Sequence, residues 1–252
     1  MNQNEKAKRF ADLHTKGDPL VLFNAWDAGS AKAIGTAGAK AIATSSYAVA
    51  DAQGYRDGED IPIDLALAIV GRIVASVDLP VTADFEGGYS EDDGLLAENV
   101  QRLIESGAIG INFEDRVLLG KGLYEIERQA RRIATIREAA DRLGVPLFIN
   151  ARTDLFLGRG GDPEDAVGAA LDRAEAYAAA GASGFFVPGL ADDTLIGRIC
   201  EGSSLPVNVM MMDGVSSHAK LAGLGVARIS YGPIPYLHGM DAVKAEASRI
   251  LA

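Results

Sequence analysis

The sequence contains very few of the residues that build disulfides and thiolate metal sites. Its 252 residues include one cysteine, Cys200, and three histidines. A single cysteine can form no intramolecular disulfide and no thiolate cluster. His14, His218 and His238 follow neither a zinc-site pattern nor a catalytic-triad pattern. Any metal ligands are therefore expected to be oxygen or nitrogen atoms.

Basic residues and long apolar runs are scarce as well. The chain carries 24 lysines and arginines against 35 aspartates and glutamates, a formal net charge of −11. Such a field repels phosphate backbones, so we expect no nucleic-acid partner, and an anionic substrate would need a local arginine or metal. The apolar runs are well short of the roughly 20 residues that cross a bilayer, which predicts no membrane span. Residues 1–17 lack the apolar core of a secretory signal, so we expect a cytoplasmic protein.

A repeating pattern of strand followed by helix predicts the fold. Short β-branched or apolar segments recur about every 20 to 40 residues, each ahead of an alanine-rich amphipathic stretch. Five are preceded by a glycine that suits the left-handed end of a helix: Gly38, Gly107, Gly144, Gly181 and Gly225. The predicted strands are residues 20–24, 41–45, 81–84, 110–114, 146–151, 184–188, 206–210 and 226–230. Eight such units predict an α/β protein with a single domain over 1–252, a (β/α)8 TIM barrel.

The alternative fold is an open, doubly wound parallel sheet. Such a sheet usually carries a G-x-G-x-x-G turn after its first strand. This chain has Asn24-Ala25-Trp26-Asp27 in that place. We therefore favour the closed barrel, in which the side chains at the carboxyl ends of all strands meet at one mouth.

Acidic side chains are concentrated at the predicted strand ends. Asp84 and Glu86 lie at the end of the third strand, and Glu114 ends the fourth. Crowded carboxylates repel one another and lose solvation on burial, so a cation among them would stabilise the cluster. Oxygen ligands of this kind favour Mg²⁺, with Mn²⁺ as an alternative. The competing interpretation is that each acid caps a helix or pairs with a neighbouring lysine or arginine.

Polar residues at two other strands are candidates for substrate binding. Ser45, Ser46 and Tyr47 stand at the end of the second strand, where backbone N–H groups and hydroxyls could hold a carboxylate or phosphate. A Ser-Ser turn is also ordinary loop chemistry. Asn208, in the seventh strand, is a further candidate.

Arg152 follows the fifth predicted strand and is a stronger candidate for binding an anion. An arginine binds a carboxylate through two parallel hydrogen bonds, and a buried arginine at a strand end needs such a partner. The alternative partner is within the protein, because Asp154 or Glu114 could form a structural ion pair with Arg152.

Six segments together resemble a known family. They are Asn24-Ala25-Trp26-Asp27, Thr44-Ser45-Ser46-Tyr47, Tyr55-Arg56-Asp57, Asp84-Phe85-Glu86-Gly87-Gly88-Tyr89, Asn112-Phe113-Glu114-Asp115 and Asn150-Ala151-Arg152. Across almost the whole chain the sequence resembles the isocitrate lyase and phosphoenolpyruvate mutase superfamily in its short, bacterial-type form. The D-x-[DE]-x-G-Y segment and the later Glu-Asp pair are the specific part of this resemblance.

The resemblance implies a Mg²⁺ ion held directly by Asp84 and largely through water by Glu86 and Glu114. A small 2-oxo acid would chelate this ion. Breaking the bond at C3 of such an acid leaves an enolate, whose oxyanion a metal ion stabilises in a site closed to water.

The resemblance also implies roles in substrate binding and catalysis. Residues 45–47 would hold the substrate carboxylate, and Arg152 would hold the other end of the molecule. Asp57, on the flexible stretch after the second strand, would lie above the reacting carbon. Asp57, Arg152 and Glu114 are thus the predicted catalytic residues.

The sequence departs from the family pattern at three places. Isocitrate and methylisocitrate lyases carry a Cys-Gly-His loop after the fourth strand, whereas residues 116–124 of this chain contain neither cysteine nor histidine. Ala43 and Pro188 replace the Trp and His of the mutase branch. Lys121 or Tyr124 could supply an acid from the loop. These departures disfavour both lyase activities and weaken the mutase assignment.

Three functions remain after this comparison. The leading hypothesis is a lyase-type enzyme that cleaves a C–C or C–P bond of a small 2-oxo acid, with oxaloacetate-like substrates favoured. The second is an aldol enzyme similar to ketopantoate hydroxymethyltransferase. The third is a binder of 2-oxo acids without catalytic activity.

The resemblance also implies a homo-oligomer, a dimer or a tetramer, in which the last helix is exchanged between subunits. The apolar C-terminal stretch, residues 241–252, is compatible with such an exchange. The choice of substrate would depend on pocket shape at Phe185, Phe186, Met210 and Tyr231.

Overall fold

All eight predicted strand regions contain strands, and all neighbouring strands are parallel. The computed structural model describes residues 1–117 and 120–252. The strands are β1 (Leu20–Leu22), β2 (Asn24–Ala25), β3 (Ile42–Thr44), β4 (Val81–Asp84), β5 (Gly110–Glu114), β6 (Phe148–Arg152), β7 (Gly184–Phe186), β8 (Val207–Met210) and β9 (Arg228–Ser230).

The first predicted strand closes the sheet into a ring. The structure divides this segment at Phe23, because its two halves pair with different neighbours. In β1, Leu22 is in register with Ser230 of β9, whereas in β2, Asn24 is in register with Ala43 of β3. β1 and β2 therefore take the place of one barrel strand. The predicted (β/α)8 barrel is confirmed, and the open sheet is excluded.

Helices cover the outside of this barrel and close its amino end. They are α1 (Gln3–Asp12), α2 (Ala28–Thr36), α3 (Ser46–Asp51), α4 (Ile63–Ser76), α5 (Asp93–Glu105), α6 (Ile126–Arg142), α7 (Pro163–Ala179), α8 (Asp193–Gly202), α9 (His218–Gly223) and α10 (Ile234–Leu251). A π-helical turn spans Leu155–Arg159. In the described part of the chain, no helix has the length and apolar character needed to cross a membrane.

The five predicted helix-ending glycines all adopt left-handed backbone conformations. Their φ angles lie between 69° and 97°. At Gly107 a Cβ atom would lie 2.7 Å from a methyl carbon of Val74, so space as well as φ requires glycine there. These positions set where each helix ends and where the next strand begins.

Helix α1 closes the amino end of the barrel with an aromatic cluster. Phe10 of α1 is fully buried, and its ring contacts Phe148 of β6 edge to face. His14, just after the helix, stacks on Phe148 with 4.1 Å between ring centroids. Its Nδ1 lies 2.8 Å from the carbonyl oxygen of Phe10. The His14 ring is thus fixed inside the apolar end of the barrel.

We predict that His14 makes the protein less stable in acid. Burial, and secondarily the charge of Arg228, lower the pKa of His14 from 6.5 to about 3. Between these values the unfolded chain binds a proton that the folded chain excludes. The free energy of unfolding therefore falls as pH drops below 6.5, by up to about 1.4 kcal/mol per pH unit. In the variant His14→Phe, which can keep the ring stack, urea denaturation should show a shallower acid limb.

The exposed His238 provides the matched control for this experiment. His238→Phe should keep the wild-type dependence of unfolding free energy on pH. Equal acid limbs in all three proteins would contradict the prediction.

The last helix buries little of its surface against the rest of the chain. In α10 only Pro235 and Tyr236 are buried, whereas Val243, Ile250 and Leu251 are 62%, 66% and 84% exposed. Its apolar residues recur with heptad spacing, which makes a continuous stripe along the helix. The stripe comprises Tyr236, Met240, Val243, Ala247 and Ile250.

Apolar surface is also exposed at β1 and at the residue that follows it. Val21 and Phe23 are 37% and 42% exposed and line a groove that continues onto Ile34 of α2. Exposed apolar surface of this extent usually marks an interaction site.

We propose that the apolar stripe of α10 packs against a second copy of the chain, as the expected dimer or tetramer requires.

Light scattering after size-exclusion chromatography tests this proposal. The wild-type chain should be a dimer or tetramer, and the double variant Val243→Glu/Ile250→Glu should be a monomer because charges would be buried in the contact. The control Lys244→Glu/Ser248→Glu changes the polar side of the same helix and should keep the wild-type mass. A monomeric wild-type chain would disprove the proposal.

Candidate active site

A cavity of about 170 Å³ opens at the carboxyl ends of the strands. This volume is below the usual range for drug-sized ligands, so it suits a molecule of only a few heavy atoms. Glu86, Glu114 and Asn208 do not line it and are at most 3% exposed. Six predicted site residues do line it together: Ser45, Ser46, Tyr47, Asp57, Asp84 and Arg152.

Asp84 is held at the end of β4 by the start of α3. Both the backbone N–H and the hydroxyl of Ser46 donate hydrogen bonds to its Oδ2 atom, at 3.1 and 2.9 Å. Its backbone N–H donates to the hydroxyl of Thr44. The second carboxylate oxygen, Oδ1, is buried and has no hydrogen-bond partner within 1–117 and 120–252. One oxygen of Asp84 is therefore anchored while the other is free to ligate.

The acidic residues around Asp84 raise one another's pKa values. Burial raises the pKa of Glu86 to about 9, and the charges of Asp84 and Asp57 add to this effect. Burial and then the charge of Asp84 also raise the pKa of Asp57, whose Oδ1 lies 3.2 Å from the hydroxyl oxygen of Ser46. No lysine or arginine described in the structure forms an ion pair with Asp57, Asp84 or Glu86. A bound cation would lower the energy of all three carboxylates.

This arrangement fits a hydrated magnesium ion better than a cage of protein ligands. Among the described residues, no three histidine, cysteine, aspartate or glutamate side chains are grouped to hold a metal directly. Mg²⁺ keeps several waters and usually takes only one or two protein carboxylates. The Oδ1 atom of Asp84 would supply one such ligand, with Glu86 in the same acidic cluster.

Arg152 forms ion pairs within the protein, which the sequence analysis had named as the alternative to substrate binding. Its Nη1 atom lies 2.9 Å from Oε2 of Glu114, and its Nε donates to Oδ1 of Asp154 at 2.7 Å. Burial lowers the pKa of Arg152, but the two carboxylates outweigh it and the net direction is upward. The side chain is 17% exposed and still lines the cavity. Arg152 thus combines a structural role with access to a ligand.

The other predicted substrate-binding residues are partly engaged within the protein. The hydroxyl of Ser45 caps α3 by accepting from the N–H of Ala48, and the N–H of Ser46 is used by Asp84. Tyr47 is 37% exposed at the cavity. Asn208 accepts a hydrogen bond from Ser230 behind the cavity wall. These contacts leave Tyr47 as the most accessible of the four.

The loop after β5 does not bring its candidate acids to the cavity. Leu118 and Leu119, which belong to the predicted acid loop 116–124, lie outside the described residues. Tyr124 donates from its hydroxyl to Glu91 at 2.9 Å and does not line the cavity, and neither does Lys121.

Four residues were expected to shape the pocket, and two of them line it. Phe186 and Met210 lie on the cavity wall, whereas Phe185 is fully buried behind it. Tyr231 does not line the cavity, and its hydroxyl lies 2.9 Å from Nε2 of His218.

Arg132 of α6 supports the site, and no pattern in the sequence indicated this role. Its guanidinium is fully buried between the rings of Phe113 and Tyr124, 4.8 and 4.6 Å from their centroids. It donates to the carbonyl oxygens of Gly87 and Ser90 in the loop that follows Asp84. Arg132 therefore connects this loop to the loop after β5.

We predict that Arg132→Leu strongly destabilises the protein. The substitution removes the donor of the buried Gly87 carbonyl oxygen, which costs about 1–3 kcal/mol, and that of the half-buried Ser90 carbonyl oxygen, which costs less. The neighbouring Arg131 is exposed, so Arg131→Leu should change the unfolding free energy by less than about 0.5 kcal/mol. Urea denaturation of both variants measures the difference, and equal midpoints would contradict the role given to Arg132.

The barrel and its acidic cavity define a class of (β/α)8 proteins with a polar, carboxylate-rich site at the strand ends. Comparison with known families specifies this class further. Residues 10–251 match the family model described as phosphoenolpyruvate phosphomutase, and the chain belongs to that family.

Three relatives show how the chain is placed within the family. A provisionally assigned phosphonomutase of Burkholderia cenocepacia J2315 is 47% identical, with a TM-score of 0.95 over 98% of this chain and 99% of that one. An uncharacterized protein of Mycobacterium tuberculosis is 34% identical, covering 96% of this chain and 88% of its own length. The 2-methylisocitrate lyase of Escherichia coli is 28% identical, covering 82% and 70%.

More distant solved structures share the fold. A phosphonopyruvate hydrolase in complex with oxalate and Mg²⁺ has a TM-score of 0.84 at 23% identity, covering 99% of this chain and 87% of that one. An oxaloacetate acetylhydrolase in complex with oxalate has a TM-score of 0.88 at 18% identity, with the same coverage. At these identities the likeness establishes the shared barrel.

Proposed function

We propose that the protein is a Mg²⁺-dependent enzyme that cleaves a C–C or C–P bond of a small 2-oxo acid. The observation that carries this proposal is the buried Oδ1 atom of Asp84, which has no hydrogen-bond partner among the described residues and belongs to an acidic cavity that Arg152 also lines. A cation at Asp84 and a guanidinium on the same cavity provide two positive groups for one small dianion. Membership of the phosphoenolpyruvate phosphomutase family supports this chemistry.

Asp84 would hold the metal ion directly, with Glu86 and Glu114 acting largely through water. The ion would supply Lewis-acid stabilisation for the enolate that remains when the bond at C3 breaks. Glu86 is 3% exposed, so its carboxylate is shielded from bulk water beside this charge. The burial that raises its pKa also makes a nearby cation more stabilising.

Arg152 and Asp57 would act on the substrate itself. Arg152 would bind a substrate carboxylate, oriented for this by its contacts to Glu114 and Asp154. Asp57 also lines the cavity, with its Oδ1 atom 3.2 Å from the hydroxyl oxygen of Ser46. Because burial raises the pKa of Asp57, this carboxyl is suited to hold or release a proton at the reacting carbon.

Oxaloacetate-like compounds are the substrates that we favour. The cavity is small, and two fold neighbours are complexes with oxalate, a planar two-carbon dianion. The loop after β5 contains neither cysteine nor histidine, so we do not propose isocitrate or methylisocitrate lyase activity. An aldol reaction of the ketopantoate hydroxymethyltransferase type is an alternative use of the same metal-bound 2-oxo acid.

A second candidate function is 2-oxo acid binding without turnover. It is favoured by one observation, namely that neither Lys121 nor Tyr124 lines the cavity. Without an acid from this loop, catalysis would have to depend on Asp57. Calorimetry of oxaloacetate with Mg²⁺, followed by product analysis after long incubation, separates the two functions.

We predict that Asp84→Ala abolishes both metal-dependent ligand binding and turnover. Oxalate with Mg²⁺ should raise the unfolding temperature of the wild-type protein by roughly 5 to 10 °C at a hundredfold excess over Kd, because a ligand stabilises the state that binds it. The variant should show no such increase and no cleavage of oxaloacetate.

Asp172→Ala removes an exposed carboxylate of α7 and serves as the matched control, with wild-type behaviour expected. Wild-type thermal shifts and turnover in Asp84→Ala would refute the proposed function. A retained thermal shift in the wild type without any product would instead favour the binder.

A further inference from the structure

Three residues with side chains adopt the left-handed backbone conformation in the described part of the chain. They are Glu59, Glu86 and Tyr89, with φ angles of 62°, 49° and 59°. A Cβ atom makes this conformation unfavourable, so it persists only where surrounding contacts enforce it. All three occur in two segments beside the candidate site.

The three residues are joined by hydrogen bonds to one another. The backbone N–H of Glu59 donates to Oε2 of Glu86 at 2.8 Å. In return, the backbone N–H of Tyr89 donates to Oε1 of Glu59, also at 2.8 Å. Glu59 thus connects the segment between α3 and α4, residues 52–62, to the loop after Asp84, residues 85–90.

The segment 52–62 has few other means of holding its shape. Most of its residues are exposed, and Ile61 is its buried apolar anchor. Asp57 stands two residues before Glu59, separated from it by Gly58 with φ of 100°. A segment with little buried surface opens easily unless specific contacts close it. The position of Asp57 over the cavity therefore depends on the Glu59 contacts.

We propose that Glu59 is a positioning residue that fixes Asp57 at the cavity by bonding its segment to the loop after Asp84. This inference rests on the proposed function, in which Asp57 acts on the substrate. The loop that Glu59 binds also carries Glu86, so one set of contacts aligns the acid at the rim with the acidic cluster around the metal position.

Three substitutions of Glu59 separate positioning from stability. Glu59→Ala removes the carboxylate and keeps an unfavourable φ. Glu59→Gly removes the carboxylate and also relieves the φ strain, so its unfolding temperature should be at least that of Glu59→Ala. Glu59→Gln retains one acceptor oxygen for the Tyr89 N–H. Glu98→Ala, which removes an exposed carboxylate of α5, is the control.

We expect kcat for oxaloacetate to fall roughly tenfold or more in both Glu59→Ala and Glu59→Gly, because a displaced Asp57 is a poor catalyst. KM should change little because Asp84 and Arg152 are untouched. Glu59→Gln should keep kcat within about threefold of wild type, because a neutral acceptor retains part of the hydrogen bond.

Amide hydrogen exchange of the unliganded protein supplies a readout that does not need activity. The Tyr89 amide should exchange at least about tenfold faster in Glu59→Ala and Glu59→Gly, and amides within 52–62 should follow. Unchanged exchange at Tyr89 would overturn the proposal. A wild-type kcat in Glu59→Gly would also overturn it, because the loss in Glu59→Ala would then come from backbone strain alone.

The same experiments distinguish failure of this inference from failure of the proposed function. If the wild-type protein and Glu98→Ala turn over no 2-oxo acid, the proposed function fails while the exchange data still decide whether Glu59 holds the segment. If turnover occurs but Asp57→Asn leaves kcat unchanged, Asp57 has no role for Glu59 to position and the inference is wrong.

Discussion

Uncompensated negative charge at the mouth of the barrel is the constraint on which the rest of the site depends. Asp57, Asp84 and Glu86 share this region without an ion-pairing lysine or arginine among the described residues. Burial strengthens their mutual repulsion because a low dielectric screens charge poorly. Asp84 accepts hydrogen bonds from neutral donors, namely the hydroxyl and N–H of Ser46, and its Oδ1 atom has no hydrogen-bond partner in the part of the chain that the structure describes.

Cations are placed around this cluster and not inside it. Arg132 binds carbonyl oxygens of the loop after Asp84 and forms no ion pair with a described carboxylate. Arg228, in the barrel interior, donates to Oδ1 of Asn112, which also accepts from Asn150. Burial lowers the pKa of Arg228 to about 9, and Asp84 is the charge that opposes this decrease. These buried arginines bind carbonyl and amide oxygens of the walls and floor, which leaves the carboxylates of the cluster to the metal ion that we propose.

The sequence predicted the features that follow from repetition and from chain direction. Strand ends of a parallel barrel must meet at one mouth, so Ser46, Asp84 and Arg152 could be grouped without knowledge of any contact. Glycines such as Gly107 marked the helix ends because few other residues tolerate their φ values. The partners of individual side chains could not be predicted in this way. Whether Arg152 pairs with Glu114, Asp154 or both depends on register between β5 and β6, which places Glu114 opposite Arg152.

The supporting residues escaped prediction for a different physical reason. Arg132 stands in an amphipathic helix among other arginines, and only its burial between Phe113 and Tyr124 distinguishes it. Glu59 belongs to a short polar segment, where a carboxylate is normally solvated. Its role arises from a backbone conformation that the sequence does not encode as a pattern. Residues that act through tertiary contacts leave no periodic signal along the chain.

The charge at the site also restricts how an anionic substrate can bind. Arg152 is the cation that lines the cavity in the described structure, but its charge already faces both Glu114 and Asp154. The guanidinium alone therefore cannot attract a dianion past Asp57 and Asp84, and the net charge of −11 adds long-range repulsion. A divalent cation at the free oxygen of Asp84 would reverse the local field. Affinity for a 2-oxo acid should then depend on the metal more strongly than on Arg152, which mainly orients the carboxylate that it binds.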